Sequence, residues 1–201
     1  MSVVIPALNE ARNLPHVFAE LPPWIYEVVL VDGHSTDGTA EIASELFPAV
    51  RIIGQTGKGK GNALACGFAA CRGDVIVMLD ADGSADPAEI EAFVEALCDG
   101  ADLAKGSRFL EGGGSSDITV TRRAGNWFFS SLVNLLYRTR YTDLCYGYNA
   151  FWRRYLPALQ VDCDGFEVET LINIRAAKAG LSIAEVPSFE RDRIHGRSNL
   201  R

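Results

Sequence analysis

The chain has 201 residues, 48% of them hydrophobic and 22% charged, with a formal net charge of −7. This texture fits a soluble globular protein with one sizeable core and argues against disorder and against general nucleic-acid binding. No run of about 18 apolar residues occurs, and the start, MSVVIPALNEARNL, lacks the basic flank and long apolar core of a signal peptide, so a cytoplasmic chain is expected.

The first half reads as short β-rich runs alternating with helical ones: SVVIP then NLPHVFAEL, EVVLVD then GTAEIASELF, VRIIG then NALACGFAAC, DVIVMLD then PAEIEAFVEALC, and finally ADLAKGS. Such alternation predicts an α/β fold with a mostly parallel sheet and helices on both faces. Unbroken apolar strands such as VVLV and VIVML suit a sheet covered on both sides. In this architecture ligands bind at the carboxyl ends of the strands, and four polar or glycine-rich loops lie there: Pro6 to Glu10, Asp32 to Ser35, Gly54 to Asn62, and Asp80 to Asp82.

Beyond Arg108 the stretch EGGGSSD precedes a helix predicted from about Arg122 to Tyr137, whose apolar residues are too many for one buried stripe. Trp127, Phe128 and Phe129 there are either core or an apolar groove for a lipid tail. A further helix is predicted over Glu167 to Lys178, stopped by Gly180, then the strand SIAEVP and an Arg-rich end. Neither a repeat nor a linker interrupts the chain, which implies one domain. The five cysteines are odd in number and form no C-x-x-C pair, so buried reduced thiols are expected rather than a zinc site or disulfides.

Charge divides the chain. Residues 1–105 hold 6 basic and 16 acidic side chains, whereas 106–201 hold 13 basic and 10 acidic, with 12 of the 13 being Arg. Arg grips phosphate in a bidentate fork, so the second half is the place to expect an anionic ligand group.

GQTGKGKGN, residues 54–62, fits G-x-x-x-x-G-K but continues with Gly61, where a P-loop needs Ser or Thr for the metal. A nucleotide handled by this chain therefore needs its metal elsewhere. Asp80-Ala81-Asp82, directly after VIVML, supplies two carboxylates suited to a hard cation such as Mg²⁺ or Mn²⁺. Taken alone, such a pair is as readily a turn, and Asp86-Pro87 has the form of a helix N-cap and first turn.

The order of PALNEARNL, VDGHSTDGTAEIA, GKGKGNALACGF and LDADGSADP, continued by KGSRF, RRAGNW, TDLCYGYNAFWRR, GFEVE and AEVPSFERDRIHGRSNL, resembles the inverting family 2 glycosyltransferases of GT-A fold. Within them it is similar to the polyprenyl-phosphate sugar transferases of the dolichol-phosphate mannose synthase type. The resemblance implies a Rossmann-like GT-A domain over residues 1–201, with a nucleotide-sugar-binding part (1–105) and an acceptor-binding part (106–201). It further implies transfer of a hexose from a UDP- or GDP-sugar to a polyprenyl phosphate, with peripheral contact at the inner membrane face, or to a saccharide or soluble hydroxyl acceptor.

Carried over by motif, Pro6, Ala7, Asn9 and Glu10 line the base and ribose pocket, Asp32 bonds the base, and Lys60 and Gly61 belong to a nucleotide-facing loop whose glycines allow close approach. Asp80 and Asp82 hold Mg²⁺ or Mn²⁺, and Arg193 grips the diphosphate, with Arg197 compensating for Asn199, where the family often has Lys. Arg108 and Arg123 meet the acceptor phosphate, while Arg122 has no assignment. Asp143 lies near the reacting carbon, as a general base if the acceptor is a hydroxyl and with little to do if it is an ionised phosphate. Glu167 and Glu169 are either alternatives to it or acids at a helix start. His34 and His195 carry no role. A nucleotidyltransferase fits less well, since PALNEARNL lacks that class's glycine loop; a non-catalytic nucleotide-binding module is the remaining reading.

Overall fold

A computed structural model describes residues 1–196. Its central sheet has seven strands: β1 (Ser2–Ala7), β2 (Glu27–Asp32), β3 (Arg51–Gly54), β4 (Val75–Met78), β5 (Leu103–Ser107), β7 (Asn149–Trp152) and β8 (Ile183–Pro187). The spatial order is β3-β2-β1-β4-β7-β5-β8, and a two-stranded ribbon pairs β6 (Gly114–Ser115) with β9 (Phe189–Glu190). All central pairings are parallel except those of β7, which runs antiparallel between β4 and β5. The sheet thus draws strands from both parts of the chain, and β7, within NAFWRR, is the strand that periodicity does not announce.

Side chains alternate across each strand, so every continuous apolar run feeds two cores. Val3, Ile5, Val28, Leu30 and Val77 point to one face, where they meet α1 (Leu14–Ala19), α2 (Thr39–Leu46) and α4 (Ile90–Cys98). Val4, Val29, Val31, Ile76 and Met78 point to the other, against α3 (Gly59–Ala70), α6 (Leu156–Leu159) and α7 (Val168–Lys178). Asp86 caps the turn before α4 by accepting the Ala88 N–H at 2.9 Å, as its place before Pro87 implies.

α5 (Val120–Tyr137) stands apart from both cores. Thr119 caps it, and only Asn126, Ser130 and Val133 are buried along its 18 residues. Trp127, Phe128, Phe129, Leu132, Leu135 and Leu136 are exposed, which removes the core alternative for the aromatic run. The thiol expectation is also corrected: all five cysteines are free, but only Cys71 is buried and Cys98 is exposed.

Candidate active site

A cavity of about 800 Å³ opens where the strand ends meet the starts of α3 and α5. Pro6 and Ala7 bring β1 to its floor, and Asp80 and Asp82 enter from the turn after β4. The segment before Gly196 closes over that turn: Arg191 donates its N–H to the Ser84 carbonyl at 2.8 Å, and Ile194 donates to the Asp82 carbonyl at 3.3 Å. Gly83 has φ +77, and a Cβ there would lie 2.5 Å from Ile194 Cδ1, so glycine at this position lets the segment lie down. Ser84 Oγ donates to Asp82 Oδ1 at 2.7 Å and orients that carboxylate.

Two cation centres organise the carboxylates. Arg193 bonds Glu10 with one nitrogen and Asp82 Oδ2, at 3.2 Å, with another, while its Nε donates to the His195 carbonyl at 2.6 Å. Burial raises the Glu10 carboxyl above the ordinary range, against the lowering pull of Arg193 and Asn13. Lys60 Nζ sits 2.6 Å from Asp80 and 2.5 Å from Glu169. Burial opposes the Lys60 charge, but the two carboxylates outweigh it and hold the proton more tightly than on an ordinary lysine. Glu169 is pushed up, first by burial and only partly offset by Lys60. Glu169 is thus a cavity side chain, whereas Glu167 bonds the Gly165 N–H at 3.1 Å within its own loop.

Each of the six carboxylates in the cavity wall is ion-paired: Glu10 and Asp82 with Arg193, Asp80 and Glu169 with Lys60, Asp117 with Arg122, and Glu190 with Arg108. Among the described residues no three His, Cys, Asp or Glu side chains cluster as a complete metal cage. The Asp80–Asp82 pair fits instead the way Mg²⁺ binds, through one or two carboxylates plus substrate phosphates and water. Arg193 and Lys60 already show that cationic charge is favoured at both of its carboxylates.

Several expected contacts turn out otherwise. Asn9 and Asp32 do not line the cavity. Asn9, at φ 58, accepts the Thr36 N–H at 2.8 Å and ties the first two loops together, and Asp32 accepts the Ser35 N–H at 3.2 Å within its own turn. His34 and Gln55 lie in the wall instead. Gly61 also stands outside it: a Cβ at Gly61 would meet the Cys163 carbonyl at 2.2 Å, and one at Gly59 the Asp164 carbonyl at 2.1 Å. Gly59 and Gly61 therefore make room for the protein's own 163–165 segment, while Gly57 and Gly59 also line the cavity.

On the acceptor side Asp143 is wholly buried and accepts three bonds from Arg108: the backbone N–H at 3.1 Å, Nε at 2.7 Å and Nη2 at 3.0 Å. Burial would raise its carboxyl, but Arg108 and then Lys105 bring it below the ordinary range. Enclosed in this way and absent from the cavity lining, the carboxylate has the geometry of a brace for Arg108. Arg108 lines the cavity over the Tyr146 ring, with its guanidinium carbon 4.8 Å from the centroid. Arg123 lies outside the lining, over Phe109 at 5.5 Å, whereas the unassigned Arg122 is in the wall. Which of the two neighbouring, exposed arginines faces the cavity is a matter of α5's rotation, which an R-R pair does not reveal. Arg197 and Asn199 lie outside the described residues.

Residues 2–159 match the sequence profile of Glycosyl transferase family 2. The chain is similar to polyprenol monophosphomannose synthase of Mycolicibacterium smegmatis, with 34% identity over 98% of this chain and 80% of that protein. It is similar also to undecaprenyl-phosphate mannosyltransferase of Micrococcus luteus, with 32% identity over 98% of this chain and 86% of the other. Among solved structures it superposes on glucosyl-3-phosphoglycerate synthase of Mycobacterium tuberculosis in complex with Mn²⁺ and UDP-glucose, with a TM-score of 0.76 and 25% identity over 99% of this chain and 73% of that one.

Proposed function

The chain belongs to glycosyl transferase family 2, and from that premise we propose that it moves a hexose from a UDP- or GDP-sugar to a polyprenyl phosphate. Pro6, Ala7 and Glu10 face the nucleoside end of the donor. Asp80 and Asp82 would hold Mg²⁺ or Mn²⁺, which when bound offsets charge on the diphosphate. Lys60 fixes the direction of Asp80, and Arg193 is placed to neutralise the departing nucleoside diphosphate. An acceptor phosphate oxygen forms its bond to the anomeric carbon from the face opposite the diphosphate while the bond to the diphosphate oxygen breaks, so the sugar carbon inverts.

The observation that carries this reading is the pairing of all six cavity carboxylates. An ionised phosphate needs no proton removed, so a site whose carboxylates are engaged suits it, whereas a hydroxyl acceptor requires a free base. The names of the two mannosyl-transferring relatives, which act on polyprenol and undecaprenyl phosphate, support the same acceptor class. A soluble acceptor is the second reading, in which one of the two cavity carboxylates raised by burial, Glu10 or Glu169, would take the hydroxyl proton.

Contact with a membrane surface is part of the proposal. No helix among the described residues is long and apolar enough to cross a bilayer. α5 instead exposes Trp127, Leu135 and Leu136 in company with Arg122, Arg123, Arg138 and Arg140, a combination suited to lying on an anionic lipid surface. The test is to incubate the chain with labelled UDP- and GDP-hexoses, Mg²⁺ or Mn²⁺, and either undecaprenyl phosphate in detergent or simple saccharides. Label entering the lipid phase in a metal-dependent way supports the proposal; label on saccharides alone refutes its acceptor.

A further inference from the structure

Where β5 and β7 part beside the cavity, a lysine fills the fork. The strands pair through Lys105 and Asn149, and one further bond runs from the Gly106 N–H to the Tyr148 carbonyl at 2.9 Å. Beyond it, one segment leads to Arg108 and the other back through Gly147, Tyr146 and Cys145, all of them in the cavity wall. Lys105 is wholly buried and does not line the cavity itself. Its Nζ donates to the Gly106 carbonyl at 2.9 Å and to the Tyr146 carbonyl at 2.6 Å, so a side chain joins the two segments where the ladder stops.

The wall held by this clamp is closely seated. Asn149 Nδ2 donates to the Gly147 carbonyl at 3.2 Å, and Asn126 Oδ1 accepts the Cys145 N–H at 3.1 Å. A Cβ on Gly147 would lie 2.4 Å from Glu169 Oε1 and 3.2 Å from Lys60 Nζ. With so little room, a shift of the wall is passed to the Lys60–Glu169 pair, and Lys60 is the cation that holds Asp80.

We infer that Lys105 is a positioning residue for the transfer: its ammonium clamps the Gly106 and Tyr146 carbonyls, keeps Gly147 against Lys60 and Glu169, and so fixes the direction in which Asp80 is offered to the donor's metal. This rests on the reading that Asp80 and Asp82 hold that metal. Both bonded partners of Lys105 are neutral carbonyls. The charged groups facing it are Asp143 and Arg108, Glu169 on α7 and Glu185 on β8, and its Nζ is 5.4 Å from the Tyr146 ring centroid. Burial pulls its ammonium down from 10.5 to about 8, opposed by Asp143 and reinforced by Arg108. The clamp is therefore fully charged below that value, and its charge-assisted bonds weaken to ordinary amine bonds as pH rises through it.

The decisive experiment measures transfer from the UDP- or GDP-hexose to undecaprenyl phosphate in detergent, with Mg²⁺ varied, from about pH 6.5 to about 9.5. In the wild type the Mg²⁺ needed for half the maximal rate rises above about pH 8. Lys105→Met, of similar length and without a donor, raises it about tenfold at pH 7, the size expected for losing a charged hydrogen bond, and removes its pH dependence. Lys105→Arg, whose charge does not titrate in this range, keeps the low requirement through about pH 9. A Mg²⁺ requirement unmoved by Lys105→Met, or a Lys105→Arg protein with the alkaline rise of the wild type, overturns the inference. Should neither variant fold, a wild-type Mg²⁺ requirement that stays flat across pH 8 also overturns it. If the wild type transfers no hexose, the transfer reading fails, and calorimetry of UDP and GDP with Mg²⁺ still decides the clamp. Binding weakened in Lys105→Met supports it; equal or absent binding overturns it.

Discussion

Replacing either member of the Asp143–Arg108 pair separates a positioning carboxylate from a catalytic base. The pair is almost fully enclosed, with side-chain exposures of 0% and 8%, and it is joined by three hydrogen bonds from Arg108 to one carboxylate. Removing one partner of a buried ion pair costs about 3–5 kcal/mol, because the other charge stays buried and uncompensated. Asp143→Asn falls near the lower end, since Arg108 keeps Glu190 at 3.0 Å. Arg108→Gln falls near the upper end, since it leaves a wholly buried carboxylate with Lys105 as its remaining cation. The double variant leaves two neutral amides, so its loss is smaller than the sum by about 2–3 kcal/mol. Urea unfolding of the four proteins at pH 7 measures this coupling, and sugar-transfer rates on the same samples supply the functional arm. Stability losses that add within about 0.5 kcal/mol would show that the pair is not energetically joined. An Asp143→Asn protein as stable as wild type but slowed by about 10²-fold or more would falsify the positioning role and restore the base.

Four other outcomes are expected. Glu27, which accepts bonds from Ser2 Oγ, the Arg72 N–H and Arg51, has its carboxyl lowered to about 2 from 4.5 despite its burial. Its folded-state value is depressed, so its stabilisation of about 3 kcal/mol is complete above pH 4.5 and is lost as pH falls toward 2; the gap between wild type and Glu27→Gln in chemical unfolding should be full at pH 7 and shrink through that window. A nucleotide diphosphate with Mn²⁺ at about 100 times its dissociation constant should stabilise the wild type by about 2.7 kcal/mol, visible as a raised Tm, and Asp82→Ala should abolish the rise. Gly61→Ala drives a Cβ toward the Cys163 carbonyl at 2.2 Å and should cost about 1–3 kcal/mol, whereas Gly54→Ala, with nothing within 4 Å, should cost less. Leu135→Glu, at a position 79% exposed, should change unfolding by less than about 0.5 kcal/mol yet reduce co-sedimentation with anionic vesicles; unchanged sedimentation counts against α5 as the lipid-facing element.

The strands and helices of residues 1–105 were legible because their determinants are local. Apolar runs of four to six residues, each followed by a 3.6-period stretch and a turn residue, dictate β then α wherever the chain lies. The acids after β4, the glycine-rich start of α3 and the order of motifs along the chain are likewise written in one dimension. They were enough to indicate the fold, the family and the place of the carboxylate pair in the cavity wall after β4.

What the tertiary structure alone decided is which of these side chains face one another. The β7 strand enters between β4 and β5 because distant backbone edges need pairing there, a demand that NAFW does not display. Asp143 meets Arg108 across 35 residues and becomes a buried brace, a role invisible in TDLCYGYN. Gly59 and Gly61 owe their lack of side chains to carbonyls of residues 163–164, about a hundred positions away. Arg122 and Arg123 are adjacent in sequence, yet the turn of α5 directs one to the cavity and the other to Phe109. Local chemistry selects the elements and the residue types, whereas long-range packing fixes burial and the partner of each charge, and those set whether a carboxylate or an arginine is free to act.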